Sequence, residues 1–242
     1  MREPITKLTP DDPRVSRGLY TLAEAAGWLS VPRSTFHGWV HGYQREVTDG
    51  ETSRSQPIVL SLAGRRAETA IPFLGLAEGL VLSAFRRAGV PLQRIRPALD
   101  RLEREMGLPH ALASDRLSVD GIEVLYEYGA RLDPGAIGAL VTVRSGQCVF
   151  APIVRDCLRG IRYSSDHWAE QVELPGYSAA RVLVNPEVAL GRPTVGGSDV
   201  PVDDIVGRWL AGESLAHLAE RLSLATAVVE DVLRAATRRC GG

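Results

Sequence analysis

The stretch from Ile71 to Arg87 constrains the fold more than any other part of this 242-residue chain. Phe73, Leu74, Ala77, Leu80, Val81, Ala84 and Phe85 recur at helical spacing and cover a wide face. A helix resting on a protein surface needs an apolar stripe only about 100° wide. This one is broader, so it must be buried against another helix, in the same chain or in a second copy. Phe73, Leu74, Leu80, Val81 and Phe85 are therefore candidates for a dimer or partner interface. Leu92, Ile95, Leu99, Leu102 and Met106 continue the period, and Pro97 inside it should kink the helix or mark a fresh start.

Ahead of this stripe, residues 1–18 are polar and read as a loose arm. Thr21 followed by Glu24 makes a capping box, in which each side chain satisfies a backbone donor at a helix start. Leu22, Ala25, Ala26 and Leu29 then form one apolar face, and Ser30-Val31-Pro32 ends it. A second short helix points Phe36, Trp39 and Val40 inward and leaves Arg33, Ser34, Thr35, His37 and His41 to its polar side. Two short helices joined by a tight turn are the helix-turn-helix layout. Gln44 to Ser55 reads as a polar loop, and the β-prone run Ile58–Leu62 behind it as the wing of a winged domain. Gly38 costs about 1 kcal/mol against alanine in a helix interior. That cost makes sense if something approaches the backbone closely, or if the neighbours of Trp39 are crowded.

The pattern changes near Ala113. Asp120-Gly121 and Ser145-Gly146 look like hairpin turns between β-prone segments, Ile122–Tyr128 and Leu140–Val143 among them. Cys148 to Arg159 reads as a short helix, and Ile161 to Val184 as one or two strands around Pro175-Gly176. From Asn185 a glycine-rich lead, Gly191–Gly197, opens onto three amphipathic helices. Their faces are Val202, Ile205, Val206, Trp209 and Leu210; Leu215, Leu218, Ala219 and Leu222; and Val229, Val232, Leu233 and Ala236. Trp209 joins the candidate partner interface. The expected fold is mainly α with small β elements (α+β), divided as 1–18, 19–112, 113–184 and 185–242.

Composition excludes several classes. Hydrophobic residues make up 45% and charged residues 24%, as in a soluble globular protein. No window approaches the run of about 18 apolar residues that a membrane span needs, and Met1–Thr9 has no apolar signal-peptide core. Cys148, Cys157 and Cys240 form neither a disulfide framework nor a zinc site, which points to reducing cytoplasm. Enzyme signatures are missing: there is no HExxH and no GxSxG, and Gly191–Gly197 lacks the lysine of a phosphate-cradling loop. That loop reads as a structured turn. His37 and His41, four apart, could share a metal, but no further ligands are placed to complete a site. No catalytic residue, metal or cofactor is expected.

DNA binding has the stronger case. A helix entering the major groove keeps its outward positions polar and its N-terminal end near base edges or phosphates. Arg33, Ser34, Thr35 and His37 hold those positions, with Gln44, Arg45 and Arg54 behind them as phosphate contacts. Residues 33–54 nevertheless carry no net charge, since their three arginines are balanced by Glu46, Asp49 and Glu51. Binding would then depend on dimerisation and specific contacts more than on bulk attraction.

Tyr20–Ala26 together with Phe36–Val40 resembles MerR-like and excisionase-like winged DNA-binding domains, with Ser30-Val31-Pro32 where those usually have Gly-Val-Ser. Asn185-Pro186, Gly191–Gly197, Gly212–Leu215 and Leu218-Ala219 resemble the small antitoxin-type domain of VapB-like proteins. Gly197-Ser198-Asp199 here replaces the usual Gly-Thr-Arg. The order of head, helical middle and tail resembles one long VapB-type antitoxin group across nearly the whole chain. That resemblance implies repression of its own operon and neutralisation of a PIN-domain ribonuclease toxin, by a homodimer or higher hetero-oligomer. Two other readings stand beside it: a MerR-like regulator sensing a small molecule with no toxin partner, and an adaptor of two structural modules with no DNA contact.

Overall fold

The computed structural model describes residues 8–46, 52–62, 70–90, 92–107, 109–117, 141–144 and 147–240. The broad apolar stripe becomes helix α4, Phe73–Arg87, in which every residue from Phe73 to Phe85 is buried. It follows three N-terminal helices, α1 (Pro13–Ser16), α2 (Leu22–Trp28) and α3 (Arg33–His41), and a hairpin of β1 (Gln44–Glu46) and β2 (Thr52–Arg54). After it come α5 (Leu92–Met106), the hairpin β3 (Val141–Arg144) and β4 (Gln147–Phe150), and α6 (Pro152–Arg159). A five-stranded antiparallel sheet then runs in chain order: β5 (Ile161–Tyr163), β6 (Ala169–Glu173), β7 (Val182–Val184), β8 (Thr194–Val195) and β9 (Val200–Pro201). Helices α7 (Val202–Leu210), α8 (Leu215–Arg221) and α9 (Thr226–Cys240) close the chain. The class is α+β, as the sequence implied.

Helix α4 is the spine of one core. It touches α1, α5, α6, β6 and the 3-10 turn at Ala111–Ala113. On its N-terminal side it takes the helix-turn-helix directly: a Cβ on Gly79 would stand 2.8 Å from the Phe36 ring and 2.9 Å from Leu29. Phe73, Leu74, Leu80, Val81 and Phe85 are each 0–2% exposed within the single chain. They are therefore not a dimer surface, and that expectation is corrected. The stripe is wide because both halves of the molecule pack on it.

One carboxylate lies in this apolar helix. Glu78, 1% exposed, accepts from the Leu60 backbone N–H at 2.6 Å and pairs with His110 Nδ1 at 2.8 Å. A buried charge is tolerable only when paired and hydrogen-bonded, and here it ties two loops to the spine. The segment Ile58–Leu62 is held this way and by Ile58 and Val59 N–H donation to the Trp39 carbonyl, and it is not a strand. The hairpin falls instead in the polar stretch before it. Its residues, Gln44-Arg45-Glu46 and Thr52-Ser53-Arg54, are all polar and carry no alternation of apolar and polar positions.

Other expectations shift as well. Pro97 lies inside a continuous α5, on an exposed position, and starts no new helix. Residues 147–159 are a strand and then a helix, divided before Pro152, which suits a first helical turn. The described part of the arm is pinned, not loose: the Arg14 guanidinium pairs with Asp12 at 2.8 Å and with Asp166, and reaches Ser164 Oγ at 3.1 Å. Strands β7 and β8 pair across the expected 184/185 boundary, so the middle and the tail share one sheet. Asp120-Gly121, Ile122–Tyr128 and Ser145-Gly146 lie outside the described residues.

The two helix-turn-helix units repeat one another residue for residue. Thr21 and Ser214 cap α2 and α8 through their hydroxyls, accepting from Glu24 N at 3.1 Å and His217 N at 3.3 Å. Ser30 (φ +55°) and Ser223 (φ +53°) supply the left-handed turn residue. Val31 N then donates to Ala26 O, and Leu224 N to Ala219 O, both at 2.9 Å, closing each helix with the same six-to-one bond. Phe36, Trp39 and Val40 match Val229, Val232 and Leu233, and all six are buried. The second unit is tied to the sheet side by buried Asp231, whose Oδ2 accepts from the backbone N–H groups of Ser178, Ala179 and Ala180 at 2.5, 2.7 and 3.0 Å.

The Glu78 pair makes stability depend on pH. Burial disfavours the His110 cation, but the hydrogen bond and charge of Glu78 outweigh it and raise the His110 pKa above its ordinary value. The contribution is then complete below the unfolded pKa of about 6.5 and is lost as pH rises through the folded value. Glu78→Ala should cost about 3 kcal/mol in urea unfolding, because it leaves a half-buried imidazolium and a backbone donor unpaired. It should also remove the fall in stability on the alkaline side of that range. A variant as stable as the parent, with the same pH profile, would contradict this account.

Candidate nucleic-acid interface

The exposed side of α3 is built from its own amphipathic spacing. Phe36, Trp39 and Val40 sink into the core, with Phe36 and Trp39 in edge-to-face contact at 5.9 Å. That orientation leaves Arg33, Ser34, His37 and His41 exposed, while Thr35 is half-buried. The Thr35 carbonyl accepts from the Tyr43 hydroxyl at 3.3 Å. The His37 and His41 rings lie 4.4 Å apart, centre to centre, on this surface. Among the described residues no group of three or more His, Cys, Asp or Glu is placed to hold a metal ion. Pro32 stands at the N-cap and provides no side-chain cap for the first turn, which begins at Arg33.

The hairpin follows at once. Gln44 pairs with Arg54, Arg45 with Ser53 and Glu46 with Thr52 across the two strands. Ser55 N donates to Tyr43 O at 2.9 Å, and Tyr43 N to Ser55 Oγ at 2.8 Å, fixing the base of the hairpin to the end of α3. The backbones of Gln44, Arg45 and Arg54 thus stand on one small sheet next to the exposed helix, and their side chains lie outside the described part. Trp209, expected at a partner interface, is on a different element, α7, and is 42% exposed beside Leu210 at 78%.

The close approach that Gly38 implied is internal. A Cβ there would stand 2.3 Å from the Tyr43 ring, so the missing side chain makes room for Tyr43 to fold back onto α3. Sequence spacing alone left this contact hidden, because nothing in residues 38–43 marks which ring fills the gap. Gly42, with φ +77° and the Ser55 carbonyl where its Cβ would be, is the turn that permits the return. Gly38→Ala should destabilise the protein by about 1 kcal/mol, although alanine is the better helix former. Adding Tyr43→Ala should reverse the sign of that substitution. Additive effects in thermal unfolding of the double variant would show that the two residues do not compete for space.

Comparison with known proteins agrees with this geometry. Residues 18–99 match a family model described as "Putative DNA-binding HTH domain", and residues 182–235 one described as "Protein of unknown function (DUF433)". The Mycobacterium tuberculosis protein named "Putative antitoxin VapB45" is 41% identical over 223 residues, covering 90% of this chain and 93% of that protein. The crystal structure of RV2018 from Mycobacterium tuberculosis is similar at a TM-score of 0.78 and 38% identity, over 91% of this chain and 99% of that one. Similarity of this extent spans the helix-turn-helix, the spine helix and the C-terminal bundle together. The chain belongs to the VapB-type antitoxin family.

Proposed function

We propose that this protein is the antitoxin of a toxin–antitoxin pair that binds operator DNA through α3 and the β1–β2 hairpin, represses its own operon, and neutralises a PIN-domain ribonuclease in the cytoplasm. The observation that carries the DNA half is the sided character of α3: Arg33, Ser34 and His37 exposed over buried Phe36, Trp39 and Val40. Arg33 at the helix start offers a planar fork to a guanine edge or a phosphate. Ser34 and His37 follow within the next turn, and Thr35 borders them. Gln44, Arg45 and Arg54 on the adjoining hairpin are assigned to the flanking backbone. In dimers of this kind the half-sites lie about 34 Å apart or a multiple of that.

The toxin-binding half is assigned to the C-terminal bundle. Trp209 and Leu210 end α7 as exposed large apolar residues, and Leu190, 72% exposed, holds a left-handed backbone at φ +59°. Exposed tryptophan is the side chain most often dominant in protein interfaces, and non-glycine residues kept at positive φ concentrate at functional sites.

Two experiments test the halves separately. In an electrophoretic shift with the duplex upstream of the gene, Arg33→Ala should lose about 1–3 kcal/mol of affinity and His37→Ala should weaken discrimination against unrelated DNA. If both variants shift DNA as well as the parent does, α3 is not the reading helix. Co-expression with the adjacent reading frame should yield a stable complex whose ribonuclease activity is suppressed, and Trp209→Ala should release the partner. No complex, or no ribonuclease activity in the freed partner, would overturn the toxin assignment.

A further inference from the structure

The helix-turn-helix lacks the net positive charge that a phosphate-tracking surface needs, because residues 33–54 sum to zero. A second arginine comes close to the start of α3 from the other end of the chain. A cleft of about 710 Å³ opens between the α2–α3 turn and the C-terminal part of α9, lined by Ser30, Pro32, Arg33, Gly176, Ala235 and Arg238. Arg33 stands on one side of it and Arg238 on the other. Arg238 is steadied by a hydrogen bond from Nη2 to the Gly176 carbonyl at 2.8 Å, which uses one of five guanidinium donors.

Several surface arginines are already committed to carboxylates. Arg162, Arg181, Arg192 and Arg234 each lie within 3.2 Å of a carboxylate oxygen. Arg33 and Arg238, both exposed, meet no carboxylate among the described residues. An arginine already forked onto Asp or Glu has little to offer a phosphate, whereas an unpaired one keeps its charge and its planar donors available. Two such groups across one cleft, beside the start of the exposed helix, make a local positive site on a chain of net charge −1.

We infer that Arg238 is a DNA phosphate contact: the C-terminal helix extends the DNA-binding surface of the N-terminal unit, and the cleft takes one sugar–phosphate strand of the duplex that α3 reads. The second helix-turn-helix unit thereby acts on DNA through the far end of its long helix. The equivalent of the α3 reading face offers less, since it carries Thr226, Ala227 and Glu230, with Glu230 paired to Arg234 at 2.6 Å. This inference rests on α3 being the reading helix, and it names a residue that neither composition nor motif singles out.

The test is a titration of the full-length protein by fluorescence anisotropy against two duplexes, the region upstream of its gene and an unrelated sequence, across a range of salt concentrations. Arg238→Ala should weaken binding to both duplexes by a similar factor, about 5-fold to 10-fold, and lower the slope of log affinity against log salt by about one unit. Arg238→Lys, which keeps the charge, should retain most of the affinity and serves as the control if loss of the Gly176 bond perturbs folding. Arg33→Ala should instead weaken the upstream duplex more than the unrelated one. Unchanged affinity and slope in Arg238→Ala, with Arg33→Ala still impaired, would overturn the phosphate contact and leave the reading helix standing. A parent protein that binds neither duplex would overturn both. Loss of a co-purifying partner protein in Arg238→Ala, with DNA binding intact, would assign the cleft to that partner and overturn the inference as well.

Discussion

Everything else in the structure depends on a helix with no solvent side. Burial of α4 from Phe73 to Phe85 removes large apolar side chains from water, at about 1.5–3 kcal/mol for each fully buried one. It can do so only because structure from both ends of the chain covers it. Gly79 lets Leu29 and Phe36 of the helix-turn-helix come within contact of the helix backbone, while α6 and β6 cover the same helix from the later part of the chain. The presented face of α3 is therefore held by the same core that organises the sheet. Glu78 follows from that arrangement: a lone carboxylate there is stable because Leu60 N–H and His110 converge on it.

The two helix-turn-helix units show how one backbone solution serves different surfaces. Each has the same hydroxyl cap, the same left-handed serine and the same closing hydrogen bond, and each buries three matching positions of its second helix. What differs is the exposed side. The first offers Arg33, Ser34 and His37; the second offers an internally paired Glu230 and Arg234, with exposed Trp209 and Leu210 nearby in sequence on α7. A polar, unpaired face suits a nucleic acid, and an apolar knob suits a protein.

Much of this was legible in the chain. The capping box at Thr21 and Glu24, the two short apolar faces and the three C-terminal helices follow from local patterns that repeat every three to four residues. The exposure of Arg33, Ser34 and His37 follows from them too. The hairpin that carries Gln44, Arg45 and Arg54 reads in sequence as a polar loop, while Ile58–Leu62 reads as a strand and is not one, because apolar β-branched residues signal burial as readily as strand. Glu78 and Asp231, each set among apolar helical positions, could have been flagged as buried charges in need of partners. The partners themselves, Leu60 and His110 or residues 178–180, come from distant loops that no local period identifies.

The amino-acid sequence by itself determined the helices, their caps and turns, and which side of α3 stays polar, since all of these arise from interactions within about four residues. It could not say who covers the broad stripe from Phe73 to Phe85: a partner copy and the rest of the same chain bury the same atoms and leave the same periodicity. Only the tertiary structure decided that the cover is internal, that Tyr43 fills the gap at Gly38, and that Arg238 stands across a cleft from Arg33. Those are contacts between segments far apart in the chain, settled by packing, which no single segment encodes.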